Sequence, residues 1–150
     1  MSDVHLDDLV AQLPHRPPMR LVERIVEIVP GQHACATRVA HAADWYFDGH
    51  FPAQPVIPAI ALVELLAQTG GLAAATCRNA ELRLAGLSDF KFPAAAGPGV
   101  LLRATADVVG RVGSLIRITG TVTADGKLIA KGSLTLAEVP SLEPTGSETA

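Results

Sequence analysis

The chain of 150 residues contains few cysteines, few aromatic residues and no excess of basic charge. Its two cysteines, Cys35 and Cys77, are too few for a disulfide framework and lack metal-ligand spacing, so we expect free thiols in a reducing cytoplasm. The net charge of −3 argues against nucleic acid as the main partner, because phosphate binding needs concentrated Lys and Arg. With 49% hydrophobic but only 4% aromatic residues, the core should consist of small and branched aliphatic side chains.

Neither a secretion signal nor a membrane helix is predicted. The N-terminus is acidic and lacks a basic region followed by an apolar run. Residues 56–77 approach the length of a membrane span, but Glu64, Gln68 and a Gly70-Gly71 pair interrupt the apolar run. We interpret this stretch as a helix buried inside a domain. The sequence also has no glycine-rich phosphate-binding loop, so no nucleotide cofactor is expected.

Turn signals and hydrophobic periodicity divide the chain into a hairpin, one long helix and four further strands. The predicted elements are a short helix at 3–13, strands at 21–29 and 32–39, a helix from Pro58 to about Asn79, and strands at 82–92, 101–109, 114–124 and 127–139. Strands grouped after one helix indicate an α+β fold with an antiparallel sheet. A helix that is apolar on nearly all sides requires a curved sheet around it. We expect one domain over residues 1–139 and a disordered tail at 140–150, where Ser, Glu, Pro and Thr accumulate.

The segment before the long helix is dense in proline. Pro52, Pro55 and Pro58 predict a stiff, extended backbone that leads into the helix. This would place His50 near the helix N-terminus, where backbone N–H groups are unpaired. His50 is therefore a candidate general base beside a site for an oxyanion. From these residues alone, the alternative of a histidine that merely caps a turn stays open.

Glu64 is the anomaly inside the apolar helix. A carboxylate there is costly to bury unless it is paired, hydrogen-bonded or protonated. Gln68 lies one turn later, so the two polar groups share a face. The alternative is that this face is a solvent-exposed stripe, although one Glu and one Gln would make a very narrow one.

Other polar and aromatic residues carry weaker signals. His5, His15, His33 and His41 show no metal-ligand pattern with Asp or Glu, and we expect them to be structural or exposed. His15 either braces the loop before the first strand or is solvated. The aromatic run at 45–47 either lines a tunnel or packs under the loop.

Two sets of motifs resemble a known family. Residues 49–58 read Gly-His-Phe-Pro-Ala-Gln-Pro-Val-Ile-Pro and lead into the helix that carries Glu64 and Gln68. Upstream, residues 13–18 read Leu-Pro-His-Arg-Pro-Pro, and residues 21–24 read Leu-Val-Glu-Arg. At this spacing the motifs resemble the 3-hydroxyacyl-[acyl-carrier-protein] dehydratases of bacterial fatty acid synthesis, over about residues 12–138.

The resemblance implies the hotdog fold, in which a curved antiparallel sheet wraps one long central helix. It implies a hydro-lyase that converts (3R)-hydroxyacyl thioesters to trans-2-enoyl thioesters without a metal or cofactor. His50 of one subunit would remove the C2 proton, and Glu64 of the other would protonate the departing hydroxyl group. The thioester carbonyl would be held by backbone N–H near Ala59. The substrate-binding residues that the resemblance implies are Ala59, Gln68, Phe51 and Pro58.

The implied partner is an acyl carrier protein or coenzyme A thioester, and the implied assembly is a homodimer, a higher oligomer of dimers or a heterodimer.

The sequence departs from the family pattern at several positions. Ala59 replaces the family's glycine, and residues 92–95 lack the family's basic residues, so Lys91 is the one basic residue close by. Residues 18–20 also depart from the family pattern. The resemblance as a whole implies fatty acid or polyketide-like biosynthesis, and these departures favour a specialised member of a polyketide-like or aryl-polyene pathway, as distinct from the housekeeping enzyme. A hotdog acyl thioesterase and a non-catalytic acyl-binding subunit of a dehydratase heterodimer remain alternatives.

Overall fold

The computed structural model describes residues 6–75 and 80–140, in which an antiparallel sheet packs around one long helix. The helical elements are α1 (Leu6–Val10), a 3₁₀ turn (Trp45–Phe47) and α2 (Ala59–Ala74). The strands are β1 (Arg24–Val29), β2 (His33–Val39), β3 (Ala80–Lys91), β4 (Leu101–Val112), β5 (Leu115–Ala124) and β6 (Lys127–Pro140). The predicted α+β class is confirmed.

Within these residues the strand order is β1-β2-β4-β5-β6-β3, and every neighbouring pair is antiparallel. The hairpins β1–β2 and β5–β6 turn at the predicted Pro30-Gly31 and Asp125-Gly126 pairs, where Gly31, Asp125 and Gly126 all have positive φ. The long connection through α2 carries β3 to the far edge of the sheet, beside β6. This order leaves β1 and β3 as the edges of the described sheet.

Small side chains on the inner face of the sheet let α2 approach closely. The fully buried sheet residues beneath the helix include Ala34 and Ala36 on β2 and Ala104 and Ala106 on β4. On β5, a Cβ atom added to Gly120 would lie 2.5 Å from Leu66 Cδ1 and 2.6 Å from Thr105 O. The core is therefore built from small and branched aliphatic residues, as composition predicts.

The helix α2 differs from its prediction at both ends. Pro58 is its N-cap, and Ala59 is the first helical residue. The helix ends at Ala74 rather than near Asn79, because Ala75 has extended backbone (φ −63°, ψ 110°) and Arg111 Nη2 donates a hydrogen bond to Ala74 O at 2.7 Å. No helix in the described part of the chain is long and apolar enough to cross a membrane.

Some sequence predictions concern residues outside the described ranges. These are His5, the thiol of Cys77, residues 76–79 at the predicted helix end, and residues 141–150 of the predicted tail. Pro140, the first residue assigned to that tail, is the last residue of β6 and pairs with Ala80.

Candidate active site

Gln68 is a buried polar side chain, 1% exposed, on the inner face of α2. Its Oε1 accepts hydrogen bonds from the backbone N–H groups of Leu21 and Val22, at 2.9 and 3.3 Å. Its Nε2 donates to Met19 O at 2.7 Å and to Glu64 Oε1 at 3.0 Å. These partners satisfy the whole amide, so Gln68 holds the segment before β1 onto the helix and is not part of a solvent-exposed stripe.

Glu64 is partly exposed, with 27% of its side-chain area accessible. Besides the bond from Gln68, its Oε1 lies 3.4 Å from His15 Nε2. Both contacts fall on the same oxygen, and among the described residues Oε2 has no hydrogen-bond partner. The sequence pattern did not identify the approach of His15, because His15 and Glu64 meet only after the loop before β1 has folded onto α2.

His50 lies at intermediate exposure in the loop that connects the 3₁₀ turn to α2. Its backbone N–H donates to Phe47 O at 3.1 Å, and its ring centroid is 4.6 Å from that of Phe51. Gly49 and Phe51 on either side have φ of 73° and 52°. A positive φ is rare for an aromatic residue and marks local strain, and residues in such conformations cluster at functional sites.

The backbone of this loop differs from the extended path that its prolines predict. Residues 51–54 turn back on themselves, with Gln54 N–H donating to Phe51 O at 2.9 Å, so the extended path predicted from Pro52 onward is wrong there. Extended backbone is found at Pro58 (φ −67°, ψ 146°). Loop turns, not prolines alone, therefore position His50.

The N-terminus of α2 presents backbone N–H groups to solvent. Ile57 N–H is bonded to Ala96 O at 2.8 Å, which fixes the entry to the helix, and Pro58 is buried. Ala59 and Ile60 are exposed, and within the described residues their N–H groups have no hydrogen-bond partner. Such unpaired donors at a helix N-terminus suit a carbonyl oxygen that gains negative charge.

Within the described chain, no hydrogen bond or ion pair joins His50 to Glu64. Two large apolar side chains beside the loop and the helix start are strongly exposed: Phe51 at 64% and Ile60 at 70%. The predicted catalytic residues are thus held on separate supports, with uncovered apolar surface near His50.

A partly buried polar cluster, which the sequence pattern did not predict, supports the same region. Asp44 accepts hydrogen bonds from Arg38 Nη2 at 2.7 Å and Tyr46 OH at 2.6 Å, and Arg38 Nη1 donates to Leu21 O at 3.1 Å. Burial raises the pKa of Asp44, but the hydrogen bonds from Tyr46 and Arg38 outweigh it and lower that pKa below its usual value. Tyr46 and Phe47 are buried, so these two aromatic residues pack under the loop.

Lys91 has a basic neighbour that is distant in sequence. It lies directly opposite Lys131 across β3 and β6, and both side chains are exposed. They line an open polar groove together with Asp89 and Asp107. The sequence pattern identified Lys91 alone. Lys131 is 40 residues away in the chain and comes beside Lys91 only through the register of β3 and β6.

The family of FabA-like domains matches residues 13–133, a range that holds His15, His50, Glu64 and Gln68. The chain belongs to the FabA-like family. Two similar proteins are named 3-hydroxyacyl-[acyl-carrier-protein] dehydratase FabZ. The protein of Roseiflexus castenholzii is 34% identical over 137 residues, which are 89% of this chain and 96% of that protein. The protein of Streptococcus pyogenes is 37% identical over 133 residues, 87% of this chain and 95% of that protein.

Solved structures share the fold of this FabA-like chain. The dehydratase heterocomplex ApeI:P from Xenorhabdus doucetiae matches with a TM-score of 0.73 and 17% identity, over 87% of this chain and 90% of that chain. A hypothetical thioesterase with coenzyme A from Streptococcus pneumoniae matches with a TM-score of 0.63 and 13% identity, over 79% and 86%. At these identities the likeness concerns the fold, and it confirms the hotdog class.

Proposed function

We propose that this FabA-like protein dehydrates (3R)-hydroxyacyl thioesters to trans-2-enoyl thioesters, with His50 as the base and Glu64 as the acid. The observation that best supports this assignment is the hydrogen bonding of the Glu64 carboxyl group. Its Oε1 contacts Gln68 and His15, whereas its Oε2 has no partner among the described residues and is available to a substrate. Relatives named as dehydratases match most of the chain and support this reaction.

The geometry suits this elimination. The thioester carbonyl accepts hydrogen bonds from the free N–H groups at Ala59 and Ile60, which stabilise negative charge when the C2–H bond breaks. His50 accepts that proton. Glu64 donates its proton to the C3 hydroxyl, the C3–O bond breaks, and the C2–C3 double bond forms as water leaves. The proton on His50 then returns to Glu64 through solvent. Gln68 positions Glu64 in this scheme, whereas Phe51 and Pro58 flank the acyl path.

The shared site requires a second copy of the chain. The edge strand β3 is 12 residues long and, among the described strands, pairs with β6 alone. Leu84 and Leu87 on it are 42% and 52% exposed. Pairing of two β3 edges would continue the sheet and cover these side chains. In this homodimer His50 of the partner subunit faces Glu64, which accounts for the absence of a contact between the two residues within one chain.

We propose an acyl-carrier-protein thioester as the substrate, in fatty acid or polyketide-like biosynthesis in the cytoplasm. The exposed pair Lys91 and Lys131 supports docking of an acidic carrier. The methyl group of Ala59 narrows the space beside the carbonyl site relative to glycine. Coenzyme A thioesters are the alternative substrate, and comparing kcat/KM for the two carriers distinguishes them.

The test is a mass-spectrometric assay of 3-hydroxyacyl thioesters of several chain lengths, on wild type, His50→Ala and Glu64→Gln. Wild type should release one water per substrate. Each variant should lose about 100- to 10,000-fold in kcat/KM, because proton transfer contributes that much. Both side chains are partly exposed, so the unfolding midpoint should change little.

Matched controls are His41→Ala and Glu27→Gln, which alter exposed residues that have no part in the proposed site. They should keep wild-type turnover. Release of free acid by wild type would show a thioesterase instead. Absence of any reaction would favour an acyl-binding subunit. Near-native dehydration in both His50→Ala and Glu64→Gln would show that the assigned acid and base are wrong.

A further inference from the structure

His15 contacts the carboxyl group of Glu64, yet the proposed reaction gives it no role. Its Nε2 lies 3.4 Å from Glu64 Oε1, at ion-pair distance but longer than a direct hydrogen bond. Its other ring nitrogen, Nδ1, is buried and has no partner among the described residues. A buried unpartnered nitrogen is unusual and calls for a reason, since nearly all such atoms in folded proteins are hydrogen-bonded.

The loop that carries His15 is fastened at several points. Trp45 Nε1 donates to Pro18 O at 2.9 Å, and Gln68 Nε2 donates to Met19 O at 2.7 Å. Arg16 Nη1 donates to Leu13 O at 2.6 Å. These bonds fix the backbone on both sides of His15, so the imidazole ring is held beside Glu64 by the fold.

Hydrogen-bond chemistry determines where the protons lie. The Gln68 amide presents its N–H to Glu64 Oε1, because its own oxygen is occupied by two backbone N–H groups. Oε1 is therefore an acceptor, and the proton of the acid form belongs on Oε2. A neutral imidazole carries one N–H, and Nε2 is the ring nitrogen that has an acceptor nearby, so its proton also faces Oε1.

We propose that His15 is a positioning residue for Glu64. Together with Gln68 it holds Oε1, so that the protonated Oε2 faces the hydroxyl group that leaves the substrate. Contacts of this kind are often long in the free enzyme and tighten when substrate binds, which fits the 3.4 Å separation. The proposal rests on the proposed dehydration and adds a residue from the loop before β1 to the site.

The test compares His15→Leu with His15→Gln in the dehydration assay. Leucine removes the N–H group that faces Glu64 Oε1. The side-chain amide nitrogen of glutamine can take the position of His15 Nε2 and donate to the same oxygen. We expect His15→Leu to lower kcat by about 10- to 100-fold, as small misplacements of a catalytic group do, with KM within about twofold of wild type. His15→Gln should recover most of that loss, and both variants should keep the circular dichroism spectrum of the wild type.

His41 provides a matched control, because its Nε2 lies 3.1 Å from Glu23 Oε2 in an exposed pair. His41→Leu and His41→Gln should leave kcat unchanged. Wild-type kcat in His15→Leu would overturn the proposal. Equal losses in His15→Leu and His15→Gln would also overturn it, by showing that the ring acts through loop packing alone.

A stability cycle separates this proposal from the proposed function. The shift in denaturant midpoint caused by His15→Leu should be at least about halved in a Glu64→Ala background, which removes the acceptor oxygen, because the effects of directly interacting residues are not additive. Additive shifts would overturn the proposal whatever the activity. If the shifts are not additive but the wild-type protein performs no dehydration, the His15–Glu64 contact exists and the reaction is misassigned.

Discussion

Tyr46 is the residue whose ionisation should respond most clearly to burial. Its hydroxyl group donates to Asp44 Oδ2 at 2.6 Å. Burial raises the pKa of Tyr46, the bond to Asp44 raises it further, and Arg38 opposes both, with a result of about 12 against the ordinary 10.0. The neutral phenol therefore stabilises the folded state. That contribution is fully present below about pH 10 and is lost as the pH rises through about 12.

A spectrophotometric titration of tyrosinate measures this effect directly, because the chain has one tyrosine. In the folded protein the midpoint should lie near pH 12, and in concentrated urea near pH 10. Circular dichroism recorded in parallel reports whether the fold persists, and Tyr46→Phe should abolish the signal. Ionisation near pH 10 with native circular dichroism would contradict the partly buried hydrogen bond to Asp44.

The sequence predicted the candidate acid and base but not their supports. Glu64 could be recognised because a carboxylate among apolar helix residues is costly, and His50 because its motif resembles a family. His15 could not, since no local pattern predicts that a loop folds back across α2. Arg38 and Asp44 were also missed, because their pairing depends on the path between β2 and the 3₁₀ turn.

At the scale of elements, the packing of α2 on the sheet depends on glycine, which has no side chain to separate the helix from the strands. The site residues Glu64 and Gln68 lie on this helix, so its distance from the strands sets their position. At Gly120 the nearest obstacles to a Cβ include Thr105 O, a backbone atom that cannot rotate away. At Gly71 on α2 and Gly110 on β4, no atom from elsewhere in the described residues lies within 4 Å of an added Cβ, apart from adjoining residues and the helix's own backbone.

Gly120→Ala should lower the free energy of unfolding by roughly 1–3 kcal/mol, because overpacking forces the helix and strand apart. Gly71→Ala should raise it by about 0.4–1 kcal/mol, since alanine restricts the unfolded chain and fits the helix. Gly110→Ala is the control on a neighbouring strand. The measurement is urea denaturation at one protein concentration. Equal stability of Gly120→Ala and Gly110→Ala would refute the close approach.

Turn residues predicted where the hairpins lie, whereas the sequence did not predict where the helix α2 ends. Asp125-Gly126 fixed the β5–β6 hairpin, because both residues adopt the positive φ that a tight turn needs. The end of α2 was misplaced, since the apolar run continues to residue 77 while the capping donor, Arg111, comes from β4. The turns around His50 were also missed, because a positive φ at Phe51 contradicts the local preference of an aromatic residue.

At the scale of the whole molecule, the order of elements predicted an antiparallel sheet around a helix, but not which strands form the edges. The position of β3 beside β6 results from the crossover through α2. This arrangement exposes a long edge on the strand that carries Leu84 and Leu87. The proposed site requires this edge to pair two subunits, because His50 and Glu64 must come from different chains.

Mixed dimers test that requirement most directly. His50→Ala and Glu64→Gln chains with different affinity tags are co-expressed, and dimers that carry both tags are isolated. If the site is shared, one of the two sites in each mixed dimer is intact, and the preparation should recover about half of wild-type kcat per dimer. Each parent dimer should stay inactive. Mixed dimers as inactive as their parents would contradict the shared site and the assignment of His50 and Glu64 across the interface.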